Sequence, residues 1–245
     1  MSDFIRNKIK WEQARYNRRT YERLMKLLKW EAENTKIRDS RYCRDFLRDL
    51  NDAVQNGFPP DFTPTPKRNT LLSYAAHNCN FQPSIIRALI NVGADVNLPN
   101  PNGESVLLQY AQGYARIILG YYNRHNYIGI DVNEVGAVFS VILQKTKDVD
   151  HESSFGMTAI HQLCRNFIVS RTQSVQNIHA QELLMSCIYE LLDAGASFER
   201  CLTKLRKKKA EAEAVKELTR MVCEYQSYKD FTEDITDQDI ASFVR

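Results

Sequence analysis

The feature that most limits what this chain can fold into is a turn that recurs after apolar helical runs. It reads "LNDAVQNGFPPDF" at Leu50–Phe62, "ALINVGADVN" at Ala88–Asn97, "VILQKTKDVD" at Val141–Asp150 and "ELLDAGASFE" at Glu190–Glu199. In each, an apolar stripe at helical spacing runs into polar turn residues, and in three of them a glycine allows the backbone to leave the helix. What precedes the later turns also repeats. "NTLLSYAA" at Asn69–Ala76, "GESVLLQYA" at Gly103–Ala111 and "GMTAIHQLC" at Gly156–Cys164 each place a hydroxyl residue before an apolar pair. Thr70, Ser105 and Thr158 are of the type that caps the orphan N–H groups of a helix start. The repeated unit is a capped first helix, a second apolar helix and a closing turn, and units of this kind stack into a solenoid.

These residues resemble the ankyrin repeat, whose pattern is Gly-x-Thr-Pro-Leu-His at the first helix and Gly-Ala-Asp-x-Asn after the second, with a period of about 33. The matches are "GADVN" at Gly93–Asn97, "GMTAIHQLC" with His161 in the family's His position, and "DAGAS" at Asp193–Ser197. The departures are informative too. Thr70 and Ser105 are 35 apart, but Ser105 and Thr158 are 53 apart, so about twenty residues have been added. The additions fall at 113–131, "GYARIILGYYNRHNYIGID", and at 166–180, "NFIVSRTQSVQNIHA". The first predicts a lengthened first helix, a loop near Asn123–Asp131 and a second helix over about Val132–Lys145. Leu71, Val106 and Ala159 stand where the family has Pro, so the first helical position loses its pre-set φ.

The resemblance covers roughly residues 45–200 as an array of about three and a half units. Residues 1–44 read as a basic helical extension in which Ile5, Ile9, Tyr16, Tyr21, Leu24 and Leu28 recur at near-helical spacing. Residues 201–245 read as a helical cap with a polar face, followed by an acidic tail. Charge follows the same division. Residues 1–50 hold 14 Lys/Arg against 8 Asp/Glu, a net of +6, whereas 221–245 hold 2 against 6, a net of −4. The expected fold is an all-α, ankyrin-like solenoid with helical additions at both ends.

Six scattered cysteines without a CxxC pair fit reduced thiols rather than a disulfide framework. No apolar segment suits a secretion signal or a membrane span, so the chain is expected to be soluble and cytoplasmic. Catalytic motifs are missing: there is no glycine-rich phosphate loop, GxSxG or HExxH. His161 and Cys164 share a helix face and resemble a Cys–His pair, but both are read as structural. Asp148, Asp150, His151 and Glu152 supply metal-ligand types, yet their place in an interunit turn makes them solvated turn residues. Neither cofactor, metal nor catalytic residue is expected.

What the resemblance implies is a non-catalytic scaffold that binds a protein partner through the concave face formed by the turns and first helices. The candidate contact residues there are Asp95, Asn97, Asn100, Asn102, Glu104, Asp150, His151, Glu152, Ser153 and Phe155. The tyrosine-rich insert adds Tyr121, Tyr122 and Tyr127, with two readings open: a binding surface, or packing of the extended helix alongside Tyr114. Divergent arrays with helical additions also resemble effectors that intracellular bacteria deliver into host cells. The competing function rests on Lys8, Lys10, Trp11, Arg15, Tyr16, Arg18, Arg19, Tyr21 and Arg23, basic and aromatic residues that suit nucleic acid or an anionic membrane.

Overall fold

In the computed structural model the described residues are 3–33, 41–78, 82–123, 132–172, 178–205 and 212–233. Among them are ten α-helices and no strand: α1 (Asp3–Glu33), α2 (Arg41–Gln55), α3 (Leu71–Asn78), α4 (Pro83–Asn91), α5 (Val106–Asn123), α6 (Val132–Lys145), α7 (Ala159–Thr172), α8 (Ile178–Asp193), α9 (Phe198–Leu205) and α10 (Ala212–Glu233). Helices α1, α3, α5 and α7 pack on one another in succession, and so do α2, α4, α6 and α8. Each member of the first row also packs on its partner in the second, giving four helix pairs in two layers. α9 and α10 pack on each other and on α7, closing one end.

The helix starts follow the capping chemistry expected from the sequence. Thr70 Oγ1 accepts the Ser73 N–H at 3.1 Å, Ser105 Oγ accepts that of Leu108 at 3.2 Å, and Thr158 Oγ1 accepts that of His161 at 3.3 Å. Each hydroxyl thus satisfies an orphan donor three residues on. The ends recur as well. After α2, α4 and α8 the helix closes with paired bonds: Phe58 N to Ala53 O with Gly57 N to Val54 O, Ala94 N to Leu89 O with Gly93 N to Ile90 O, and Ala196 N to Leu191 O with Gly195 N to Leu192 O. This closure needs a left-handed residue at the glycine, and Gly93 has φ +95°. The residue after each glycine is buried and apolar, so the turn is tied to the core by its own chain direction.

Apolar residues from every pair form one continuous core, with Phe46, Leu50, Leu71, Leu72, Ile85, Ile86, Leu89, Val106, Leu107, Leu163, Phe167, Leu184 and Ile188 all inside it. The lengthening of the later units is real. α3 has 8 residues, whereas α5 has 18, and α7 and α8 have 14 and 16. The middle of α5 is held by a buried aromatic cluster in which the rings of Tyr110, Tyr114 and Phe139 lie 6.3–6.4 Å apart. Tyr110 donates its hydroxyl to Val135 O at 2.7 Å. Burial raises both tyrosine phenols well above their usual value.

α2 and its closing turn form the second half of a first pair, and α1 packs on them in the place of a first helix. Tyr21, Leu24, Met25 and Leu28 enter the shared core, Tyr21 donates to Asn69 O at 2.8 Å, and Arg23 pairs with Asp49 at 3.3 Å. At the other end Arg171 Nε donates to Glu217 at 2.9 Å, and Tyr225 donates to Asp193 at 2.7 Å, fastening α10 to α7 and to the end of α8. Exchanging Gly93 for Ala places a Cβ with no atom within 4 Å, so its cost is backbone strain alone. Urea unfolding of Gly93→Ala is expected to show a loss of about 1–2 kcal/mol with an unchanged m-value.

Candidate functional site

The turns between pairs line up along one edge, and a repeated side-chain clasp joins them. Asp61, Asn97 and Asp150 hold the same place, four residues after Gly57, Gly93 and the corresponding Thr146. Asp61 accepts the N–H of Asp95 at 3.0 Å. Asn97 accepts the N–H of Lys147 at 2.8 Å and donates to Lys145 O at 3.1 Å. Asp150 accepts the N–H of Ser197 through both oxygens, at 2.9 and 3.1 Å. Each side chain therefore satisfies main-chain groups at or just beyond the end of a helix, outside its ladder. Partial burial, with Asp95 nearby, raises the Asp61 carboxyl above its usual value even though the Asp95 amide opposes the shift.

Beyond each clasp the chain makes a short loop toward the next capped helix. In the first, Asn100 N donates to Glu104 O at 2.9 Å and Gly103 N to Asn100 O at 2.8 Å. Asn100 Oδ1 also accepts the N–H groups of Asn102 and Glu104, both at 2.9 Å, and its Nδ2 donates to Glu104 Oε2 at 2.7 Å. The second loop copies this with a hydroxyl. Ser153 N donates to Met157 O at 3.0 Å and Gly156 N to Ser153 O at 2.8 Å, while Ser153 Oγ accepts from Phe155 and Met157 at 3.3 and 3.2 Å. The two loops touch: Ser154 N donates to Asn102 O at 3.0 Å, and His151 Nε2 lies 2.9 Å from Gly103 O. Gly103 allows this approach, because a Cβ there would come within 3.0 Å of Ser154 Oγ.

α9 supports the second loop from the far side. Lys204 pairs with Glu152 at 3.0 Å and its ammonium also donates to Gly156 O. The Lys204 hydrogen bond holds the Glu152 carboxyl below its usual value. On this doubly held loop Phe155 is 76% exposed, the largest exposure among the big apolar residues described.

The candidate residues therefore separate by what the fold asks of them. Asp95, Asn97, Asn100, Glu104, Asp150, His151 and Glu152 have polar ends engaged inside the scaffold, with Asp95 Oδ1 accepting the Asn97 N–H at 2.9 Å. Asn102 and Phe155 stand exposed at the two loop tips. Tyr121 and Tyr122 fall in the last turn of α5, and Tyr127 lies outside the described residues. Ser154, Lys204 and Asp61 hold the edge together but carried no weight in the sequence reading. Asp61 was legible from its place four residues after Gly57, whereas Lys204 comes from a separate helix and gave no local signal.

The residues that suggested chemistry take structural places. Cys164 is fully buried, and burial raises its thiol well above the usual value. His161 is half-buried with Nδ1 lacking a hydrogen-bond partner; burial first, then Lys204 and Arg165, holds its imidazole below the usual value. Among the described residues no group of three or more His, Cys, Asp or Glu is placed to hold a metal ion, and no helix is long and apolar enough to cross a membrane. Iodoacetamide at neutral pH is expected to alkylate exposed Cys223 rapidly and to leave Cys164 unmodified until denaturant is added. Peptide mapping would report the order, and early loss of Cys164 would contradict its burial.

Comparison with known proteins bears on residues 67–98, which match the family model described as an ankyrin repeat. No curated protein matches the chain. Among solved structures, the crystal structure of EF0377, an ankyrin repeat protein, is similar at 21% identity over 78% of this chain and 96% of that one, with a TM-score of 0.34. The family match covers α3, α4 and the Gly93 turn, the unit that departs least from the repeat pattern, and over those residues the chain is similar to an ankyrin repeat.

Proposed function

We propose that the chain is a non-catalytic scaffold that binds a protein partner along the edge built from the loops at 99–104 and 151–156, with Phe155 as its apolar anchor. Ankyrin repeats suggest protein–protein interaction, and one observation carries the choice of surface. A large aromatic ring held out to solvent on a loop fixed from both sides gains nothing for folding, but it is already ordered for binding. Rigid aromatic anchors dominate many interfaces because little side-chain freedom remains to be lost. Asn102 and Glu152 beside it give the polar rim of such a contact. The same surface would serve an effector acting in host cytoplasm, a reading supported by the elongation of α5, α7 and α8.

The test is affinity capture with mass spectrometry, using wild type, Phe155→Ala and Tyr228→Ala. Tyr228 is a control of similar exposure, 68%, on α10. Partners of this edge are expected to be retained by wild type and Tyr228→Ala and depleted at least tenfold by Phe155→Ala, a loss in the range of an interface hot spot. A partner set unchanged by Phe155→Ala sinks the assignment. Substituting Asn100 or Glu104 would be less telling, since those side chains shape the loop itself.

A second reading has its own observation. Residues 8–15 of α1 are exposed throughout, with Ile9 at 52% and Trp11 at 61%, and Arg15 lies 5.4 Å over the Trp11 ring. Together with Lys8 and Lys10 this favours an anionic surface. Binding to anionic vesicles or duplex DNA that falls steeply with salt, and disappears in a Lys8→Glu, Lys10→Glu, Arg15→Glu variant, is the outcome expected of that reading. Absence of binding at low salt removes it. Charge substitution is preferable to deleting the helix, because Tyr21, Leu24 and Leu28 belong to the core.

A further inference from the structure

Away from the loop edge, α7, α8 and α10 line an open pocket of about 420 Å³. Its wall is mainly apolar, with Phe167 from α7, Met185 and Tyr189 from α8, and Met221 from α10. That volume lies in the range of small-ligand sites, and unbranched thioethers among aromatic rings give a lining that can adapt.

One polar group in the wall stands apart. Gln181 is only 7% exposed, and its Oε1 accepts a hydrogen bond from Arg171 Nη1 at 3.0 Å. The contact decides which end of the amide is which, because reversing it would set the NH2 donor against a guanidinium donor. Arg171 is itself anchored by Glu217 through Nε at 2.9 Å and through Nη2. The outcome is a fixed amide whose Nε2 is buried and has no hydrogen-bond partner. Buried side-chain donors are nearly always paired, so an orphan in the wall of an apolar pocket points to an acceptor supplied from outside the chain.

We propose that this pocket binds a neutral, largely apolar small molecule that presents a carbonyl oxygen to Gln181 Nε2. Neutrality follows from the neighbouring charges. Glu217 in the lining is paired with Arg171, and the described lining residues include no Lys, Arg or His to answer a carboxylate ligand. An ammonium ligand would supply donors where an acceptor is needed. Nε2 is closed off from solvent, and the acceptor reaches it as Met185 and Met221 re-seat around the ligand, which three rotatable bonds and a polarizable sulfur allow.

Benzophenone and diphenylmethane provide the test, since they share a two-ring frame and differ in the carbonyl. With the full chain, ligand-observed NMR titration is expected to show saturable benzophenone binding about tenfold tighter than diphenylmethane. Irradiation of the benzophenone complex is expected to crosslink Met185 or Met221, read by peptide mapping. Gln181→Leu should bring the two affinities to parity while keeping diphenylmethane binding. Ser186→Trp, at an exposed position of the rim, should abolish both with an unchanged circular-dichroism spectrum. Equal affinities in wild type, a preference surviving in Gln181→Leu, binding indifferent to Ser186→Trp, or no saturable binding of either compound each overturns the proposal.

Discussion

Asp61, Asn97 and Asp150 each reach from one turn to the main chain of the next, and the rest of the array depends on that contact. The turns leave the helical ladder, so their amides must find acceptors elsewhere or remain hydrated. A short side chain at one fixed place in every turn meets this need and also sets the distance between pairs. With the spacing fixed, the apolar faces of α3, α5 and α7 meet at packing distance, as do those of α4, α6 and α8. A change of helix length at the far end, such as the ten added residues of α5 relative to α3, then leaves the turn edge in register.

The same edge shows how polar side chains hold a pair of loops rigid. Its carboxamides and hydroxyls are largely consumed in holding the loops at 99–104 and 151–156, and Lys204 fastens the second loop to α9. What is left over is apolar. The Phe155 main chain is held by Ser153 while its ring stays exposed. Rigidity below and an unpartnered ring above are the two properties that lower the entropy cost of association.

Much of the fold was legible in the residues. The capping role of Thr70, Ser105 and Thr158 follows from local chemistry, and α6 covers Val132–Lys145 as its periodicity predicts. α1 was harder to place, because its apolar residues are sparse and no turn motif follows it, so nothing local shows that it completes the first pair. α9 begins at Phe198, directly after Ser197, a residue of capping type that reads as part of the preceding turn when the next helix is only 8 residues long. The loops at 99–104 and 151–156 were legible by position, but the hydrogen-bonding roles of their side chains were not. Asn100 and Glu104 look like free polar contacts in sequence, yet they bond each other and the loop backbone.

By itself the sequence determined the repeating unit, since hydroxyl caps, apolar stripes and glycine turns act over a few residues and are written in order along the chain. It also determined the all-helical class and the lengthening of the later units. Tertiary structure alone decided how Asp61, Asn97, Asp150, His151 and Glu152 are engaged, because their partners lie 34 to 52 residues away. The pocket among α7, α8 and α10, with the orphan amide of Gln181, is of the same kind. No local pattern encodes it, since it exists only where three helices from distant parts of the chain fail to fill the space between them.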